Sequence, residues 1–176
     1  MAKSKVPLVL RASFTSDTTE QAAGEQLAID LSAYVDALSG KVLRIRQVWF
    51  GIDDGSGECV PPNDYEADAP CGTMQLCTGN QTSIKAMSDD RVIAMQQYYY
   101  QAVDINGSST PPQWFSKLPV PDMGFYVAAD ALTFMNHVNV DNFDSDTRFL
   151  CVIEAERVKL TASDVNFLLV NQTLTG

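Results

Sequence analysis

The chain has 176 residues, 45% of them hydrophobic, so it is long enough to bury the core of one domain. It has 12 Lys and Arg residues and 22 Asp and Glu residues, and the resulting formal net charge of -10 argues against direct binding of nucleic acid. Lys3 and Lys5 are too few for a basic packaging arm. No apolar run approaches the ~20 residues of a membrane helix, and the start lacks the apolar core of a secretory signal. We therefore expect a protein that is made in a cytoplasm, with no required membrane contact.

The N-terminal part predicts two strands and a short helix. Residues 6–14 and 26–31 alternate apolar and polar side chains with the period of two that is typical of half-buried strands. Ser32 is a suitable cap for a short helical turn, and Gly40 is suited to end it in a left-handed conformation.

A third strand and a long loop follow. Residues 41–52 alternate as a strand, but the apolar face changes phase near Gln47, which indicates a β-bulge. Residues 53–72 show almost no periodicity and contain three of the eight prolines, so they predict a long surface loop.

The C-terminal half predicts further strands and a final helix. Prolines 111, 112, 119 and 121 make the stretch between them an extended connection rather than a central strand. Thr161 and Asp164 form a capping box, and a helix of about ten residues, near three turns, follows. Apolar alternation or aromatic and β-branched composition predicts strands at residues 73–77, 91–105, 124–128, 131–138 and 148–160. Residues 124–128 and 131–138 are either two strands or one bent strand.

About eight strands, two short helices and no alternation of strands with helices predict an all-β, antiparallel fold. We expect a two-sheet sandwich or a barrel that covers residues 1–176 as one domain.

An aromatic cluster is the candidate subunit contact. Tyr98, Tyr99 and Tyr100 follow one another in a predicted strand, so at least one ring must point away from the core. Trp114 and Phe115 lie between the prolines of the extended connection. These five residues are predicted to contact another subunit, and packing under the domain's own loops is the alternative.

The sequence contains no recognised catalytic motif, and two weak constellations remain. Glu154 and Glu156 project to one face of a strand, about 7 Å apart, as paired carboxylates of glycosidases do. A solvated or salt-bridged strand face is the favoured explanation, because Arg157 and Lys159 are near. The pair of Cys151 and His137 is a second, less favoured nucleophile and base. We expect no catalytic residue.

Metal and cofactor binding are not expected. The chain has one histidine, and its cysteines show no C-x-x-C spacing. Residues 53–58 and 141–146 offer carboxylate oxygens of the kind that calcium accepts, although ordinary turns use the same side chains. Cys59, Cys71 and Cys77 are free thiols, or two of them form a loop disulfide.

Three segments together resemble the single jelly-roll capsid proteins of prokaryotic viruses. They are Ile-Asp-Leu-Ser-Ala-Tyr-Val at 29–35, Lys-Val-Leu-Arg-Ile at 41–45, and Cys-Val-Ile-Glu-Ala-Glu-Arg-Val-Lys-Leu at 151–160 before the final helix. The resemblance implies an eight-stranded jelly-roll sandwich with a short helix after strand two. It also implies a virion protein that assembles with copies of itself and other shell proteins into an icosahedral shell. Unlike capsid proteins that hold a genome, the chain shows no basic arm.

A second class of function stays open. A carbohydrate- or receptor-binding sandwich would use Trp49, Trp114 or the tyrosine run as a stacking platform. Such a module forms a small defined oligomer, whereas a capsid protein forms large closed particles.

Overall fold

The structure is a computed structural model that describes residues 7–16, 25–58, 71–99, 113–140 and 147–173. These residues form nine strands, one α-helix and one 3₁₀ helix, where the sequence predicted about eight strands. The strands are β1 (Leu8–Ser16), β2 (Glu25–Asp30), β3 (Lys41–Asp53), β4 (Cys71–Thr78), β5 (Val92–Tyr99), β6 (Gln113–Leu118), β7 (Phe125–Val127), β8 (Ala131–Val140) and β9 (Thr147–Lys159). The 3₁₀ helix is Ala37–Ser39, and α1 is Ala162–Thr173.

Two antiparallel sheets form a sandwich. One has four strands in the order β1-β9-β3-β7, and the other has five in the order β2-β8-β4-β5-β6. The predicted all-β, two-sheet fold is confirmed at this level. The strands at 124–128 and 131–138 are two separate strands that belong to different sheets.

Rings from both sheets meet in the core. The centroid of Phe14 in β1 lies 5.1 Å from that of Phe134 in β8, and Tyr98 in β5 lies 6.1 Å from Phe149 in β9. Phe134 and Phe149 are fully buried. Such offset aromatic pairs join the two sheets at one end of the sandwich.

The longest strands follow the predicted pattern. In β9 buried and half-buried residues alternate from Thr147 to Glu156. In β3 the register to β9 shifts between Ile45 and Gln47, so the predicted bulge is confirmed. A bulge leaves one residue of the strand unpaired, and here it is Arg46.

The five-stranded sheet has part of its outer face covered by residues 79–91. Gln75, which is fully buried, points outward from β4 and accepts a hydrogen bond from the backbone N–H of Lys85 at 2.8 Å. Its Nε2 donates to the Lys85 carbonyl at 2.9 Å. Beneath this segment Cys77, Met95 and Met135 form a second apolar cluster.

α1 covers one end of the other sheet. Asp164 N donates to Thr161 Oγ1 at 3.3 Å, and the Thr161 hydroxyl donates to Asp164 Oδ2 at 2.6 Å, so the predicted cap is confirmed. Val165 packs against Val42 of β3. From the last turn of α1, Gln172 accepts from Ala128 N at 3.0 Å and donates to the Tyr126 carbonyl.

The helix after β2 differs from the prediction. It is a single 3₁₀ turn capped by Asp36, whose carboxylate accepts from Ser39 N, rather than a helix capped by Ser32. Gly40 ends it with φ 77°, as predicted. A side chain there would also clash, because a Cβ would lie 2.6 Å from the Leu160 carbonyl oxygen.

The proline-bordered connection contains a strand that the sequence did not predict. β6 lies at the edge of the five-stranded sheet, where Met95 pairs with Leu118, and it ends before Pro119. An edge position explains the nearby prolines, because only one side of the strand must donate to the ladder.

Parts of three predicted elements lie outside the described residues. They are residues 59–70 of the long loop, residues 100–105 of the predicted fifth strand and the acidic segment 141–146. Among the described helices, none is long and apolar enough to cross a membrane.

Candidate functional site

The described residues cover the outer face of the four-stranded sheet only in part. α1 packs over Val42 and Val158 at one end, whereas outward side chains farther along β1, β3 and β9 stay at least partly accessible. Within this part, we call the surface formed by Val9, Arg11, Arg46, Trp49, Val152 and Glu154 the open face.

Strand register makes the open face one continuous surface. Arg11 of β1 and Trp49 of β3 lie opposite Val152 of β9, one on each side, and Val9 lies opposite Glu154. Neighbouring strands are about 5 Å apart, so these side chains are neighbours. Val9 is 42% exposed on the edge strand β1, and Trp49 is 46% exposed on β3, which is high for a large aromatic side chain.

The bulge places a cation at the margin of this face. Arg46 Nε lies 3.5 Å from Glu156 Oε1, and the Arg46 side chain is 45% exposed. The same carboxylate accepts two hydrogen bonds from Arg44, one of them from Nε at 2.6 Å. Hydrogen bonds to Tyr126 and Glu156 raise the pKa of Arg44. Because Glu156 is already neutralised by Arg44, Arg46 leaves an excess positive charge at the surface.

A cavity of about 590 Å³ adjoins the open face. One wall is β3 around the bulge, and the other is the segment that links β6 to β7. Polar and charged side chains line it together with an indole and two prolines: Arg46, Gln47, Trp49, Lys117, Asp122 and Glu154, with prolines 119 and 121. The cavity thus places the aromatic ring of Trp49 beside cationic hydrogen-bond donors and anionic hydrogen-bond acceptors.

The structure divides the predicted aromatic contact. Tyr98 is 2% exposed and belongs to the chain's own core, whereas Tyr99 is 38% exposed at the end of β5. Trp114 lies opposite Tyr98 in the ladder between β5 and β6, and Phe115 is the next residue of β6. Tyr100 and the side chains of Trp114 and Phe115 lie outside the described residues. The subunit contact predicted for these residues stays a prediction.

Glu154 and Glu156 lie on the same outward face of β9, as the sequence predicted, but in different surroundings. Glu156 is held by Arg44, with 18% of its side chain exposed. Glu154 lines the cavity beside the open face. A glycosidase needs two carboxyl groups that face one substrate, whereas one of these is engaged in an ion pair.

The other predicted pair does not come together. Cys151 is fully buried and points between the sheets from β9, and burial raises the pKa of its thiol. His137 is exposed on β8 of the other sheet. A thiol in these surroundings is a core side chain rather than a nucleophile.

The acidic turn after β3 uses its carboxylates internally. Asp53 accepts hydrogen bonds from Arg148 at 2.7 and 2.8 Å, which lower the pKa of Asp53. Asp54 accepts from Ser56 N at 2.8 Å and from Glu58 N at 3.1 Å. In the described part of the chain, no group of three or more His, Cys, Asp or Glu side chains is arranged to hold a metal ion.

The described cysteines are free thiols. Cys71 is half-buried, and Cys77 is buried on the outer side of β4, where burial raises the pKa of its thiol to about 12. The remaining candidate for a loop disulfide, Cys59, lies outside the described residues.

Sequence reasoning missed the open face as a site. Trp49 was named only as one of several stacking platforms, and Arg11 and Arg46 were not singled out. The order of the strands brings these residues together, because β1 and β3 are far apart in the chain and both pair with β9. Alternation alone shows that Trp49 points outward, but it does not show whether another element covers it.

Comparison with known proteins adds no relative: neither a protein-family model nor a curated protein sequence matches the chain.

Proposed function

We propose that this chain is a structural virion protein, a jelly-roll capsid subunit that assembles with copies of itself into a closed icosahedral shell. The strand pairing is the observation that carries the proposal. β1 pairs with β9, β2 with β8 and β3 with β7, and β4 pairs with β5 at the closed end of this nested set. Strands β1 to β4 and β7 to β9 alternate between the two sheets. This is the connectivity expected of a jelly roll with β6 as an added edge strand, and viral capsid domains use that fold.

The surface supports an interaction role. Jelly rolls also serve as lectins and cupins, so the connectivity alone does not choose between functions. The open face adds an exposed indole on β3 and an exposed Val9 on the edge strand β1, a composition of the kind found at protein interfaces. The Arg44 and Glu156 ion pair weighs against the glycosidase alternative.

The proposal places the protein in the virion after synthesis in a host cytoplasm. Its partners are other copies of the chain and other shell proteins. The net charge of -10 disfavours contact with the genome, and contact with a membrane is left open but is not predicted.

Electron microscopy and light scattering of the purified full chain test this function. We expect closed particles of many identical copies under native conditions. A protein that stays monomeric over the whole accessible concentration and salt range would refute the assembly.

A second function is favoured by one specific observation, the cavity beside Trp49. An indole next to Glu154, Lys117 and Asp122 is suited to stack on a sugar ring and hydrogen-bond its hydroxyls. Glycan-array binding by a small defined oligomer, lost in Trp49→Ala, would establish this carbohydrate-binding alternative instead of the shell.

A further inference from the structure

Charge is distributed unevenly over the two sheets. The strands of the four-stranded sheet contain seven of the 12 Lys and Arg residues but only three of the 22 Asp and Glu residues, an excess of four positive charges. The rest of the chain therefore has five basic and 19 acidic residues, a net charge of -14. One sheet of a strongly acidic protein is thus locally basic.

The open face combines this positive charge with apolar surface. Arg11 is exposed and forms no salt bridge with the described residues, among which Arg46 pairs with one carboxylate, that of Glu156, which it shares with Arg44. Val152 lies between Arg11 and Trp49 in the sheet, and Arg46 precedes Trp49 by three residues in β3. Trp and Arg are the residues that most often dominate binding energy at protein interfaces.

We propose that the open face binds the acid-rich surface of a second copy of this chain. The inference rests on the proposed function, because it names the surface through which the shell subunits meet. Complementary charge selects the occupant: the rest of every copy has a net charge of -14, so each copy supplies the surface that the face requires.

The same charge distribution determines the symmetry of the contact. Arg11, Arg46 and Glu154 give the open face a net charge of +1, so two open faces brought together carry a small excess of like charge. Contact with a different, acidic surface of the next copy is favoured over a two-fold contact through this face. Contacts of this heterologous kind build rings and closed shells when the rotation between copies closes.

Single charge reversals test the contact. Arg11→Glu and Arg46→Glu each change the net charge by two units, and so does the control Lys85→Glu, which lies in the segment that covers the other sheet. Glu156 keeps Arg44 in the Arg46 variant, so the local fold is retained. Circular dichroism and the melting temperature check this in all three variants.

We expect the open-face variants to raise the concentration needed for assembly by roughly tenfold or more, the size of about 1.4 kcal/mol per contact. Lys85→Glu is expected to change it by less than twofold. Salt should weaken wild-type assembly, because it screens the attraction. Trp49→Ser, which keeps the charge, should also impair assembly.

The outcomes separate the two proposals. If the wild type forms particles and the Arg11 and Arg46 variants assemble like Lys85→Glu, the open face is not the contact, and the shell function stands. If the wild type stays monomeric, both proposals fail. If particles form only with added duplex DNA and the arginine variants lose that response, the face binds nucleic acid and a second copy is not its occupant.

Discussion

Substitution of the buried Gln75 by leucine should loosen the segment that covers the five-stranded sheet. The side chain bonds both backbone groups of Lys85, and it also contacts Met95 Sδ at 3.2 Å and Cys77 Sγ at 3.3 Å. Leucine has a similar size but no polar atom. Gln75→Leu therefore keeps the packing volume and leaves the Lys85 N–H and C=O without their partner.

The cost follows from these two bonds. Each contributes about 0.5–1.5 kcal/mol, and a partly buried backbone group left without a partner adds about 1–3 kcal/mol. The apolar gain of leucine offsets part of this, so we expect a loss of about 2–4 kcal/mol in the free energy of unfolding. For a chain of this size that lowers the melting temperature by about 4–16 °C.

Urea unfolding and hydrogen exchange measure the effect in two ways. The free energy of unfolding reports the whole cost, and the exchange rate of the Lys85 amide reports whether the segment has detached locally. Gln26→Leu is the matched control, because Gln26 is exposed on β2 and the same substitution there should change stability by less than about 0.5 kcal/mol. A Gln75→Leu protein as stable as this control, with unchanged exchange at Lys85, would show that the side chain does not hold the segment.

Two further predictions concern other parts of the fold. The hydrogen bond and charge of Arg91 lower the pKa of Asp89 to about 2, so this carboxylate contributes stability above pH ~4 that is lost as the pH falls toward 2. The side chains of Arg91 and Asp89 are only 13% and 19% exposed, so Asp89→Asn should be less stable than wild type at pH 7 by about 1–2 kcal/mol in urea unfolding. The difference should shrink as the pH falls toward 2; a constant difference would contradict the pairing. Gly72→Ala should cost about 1–3 kcal/mol, because the added Cβ would lie 2.5 Å from the Tyr98 hydroxyl, whereas Gly51→Ala, 3.2 Å from a side-chain methyl, should cost less in the same assay.

Local pattern was sufficient for elements whose environment is set by their own sequence. The alternation of β9, the phase change at Gln47 and the capping box at Thr161 were all found where the sequence placed them. In each case the signal lies within a few neighbouring residues, and the physical cause is local: side-chain period, bulge geometry or capping of free N–H groups.

Features that depend on partners distant in sequence could not be predicted in the same way. Tyr98 and Tyr99 are neighbours in the sequence. Which of the two side chains points into the core depends on how β5 is placed against the other sheet, and there Tyr98 packs on Phe149. The sequence pattern predicts that Gln75 is a polar side chain on the outer face of its strand. It is buried because residues 79–91, which include Lys85, fold back over the strand. The basic sheet becomes visible only after β1, β3 and β9 are placed side by side.

The fold blocks strand addition at two of its four described sheet edges. Edge strands are the usual risk for uncontrolled association of β-proteins. The edge at β7 is covered by the Gln172 amide, which bonds Tyr126 O and Ala128 N as a neighbouring strand would. In the other sheet the edge strand β6 is followed directly by Pro119, which has no N–H to donate to an added strand. Strands β1 and β2 form the other two sheet edges, and Phe167 and Val170 of α1 are also exposed, so the described surface offers association sites besides the region around Trp49. At the open face, side-chain charge rather than backbone pairing would select the partner.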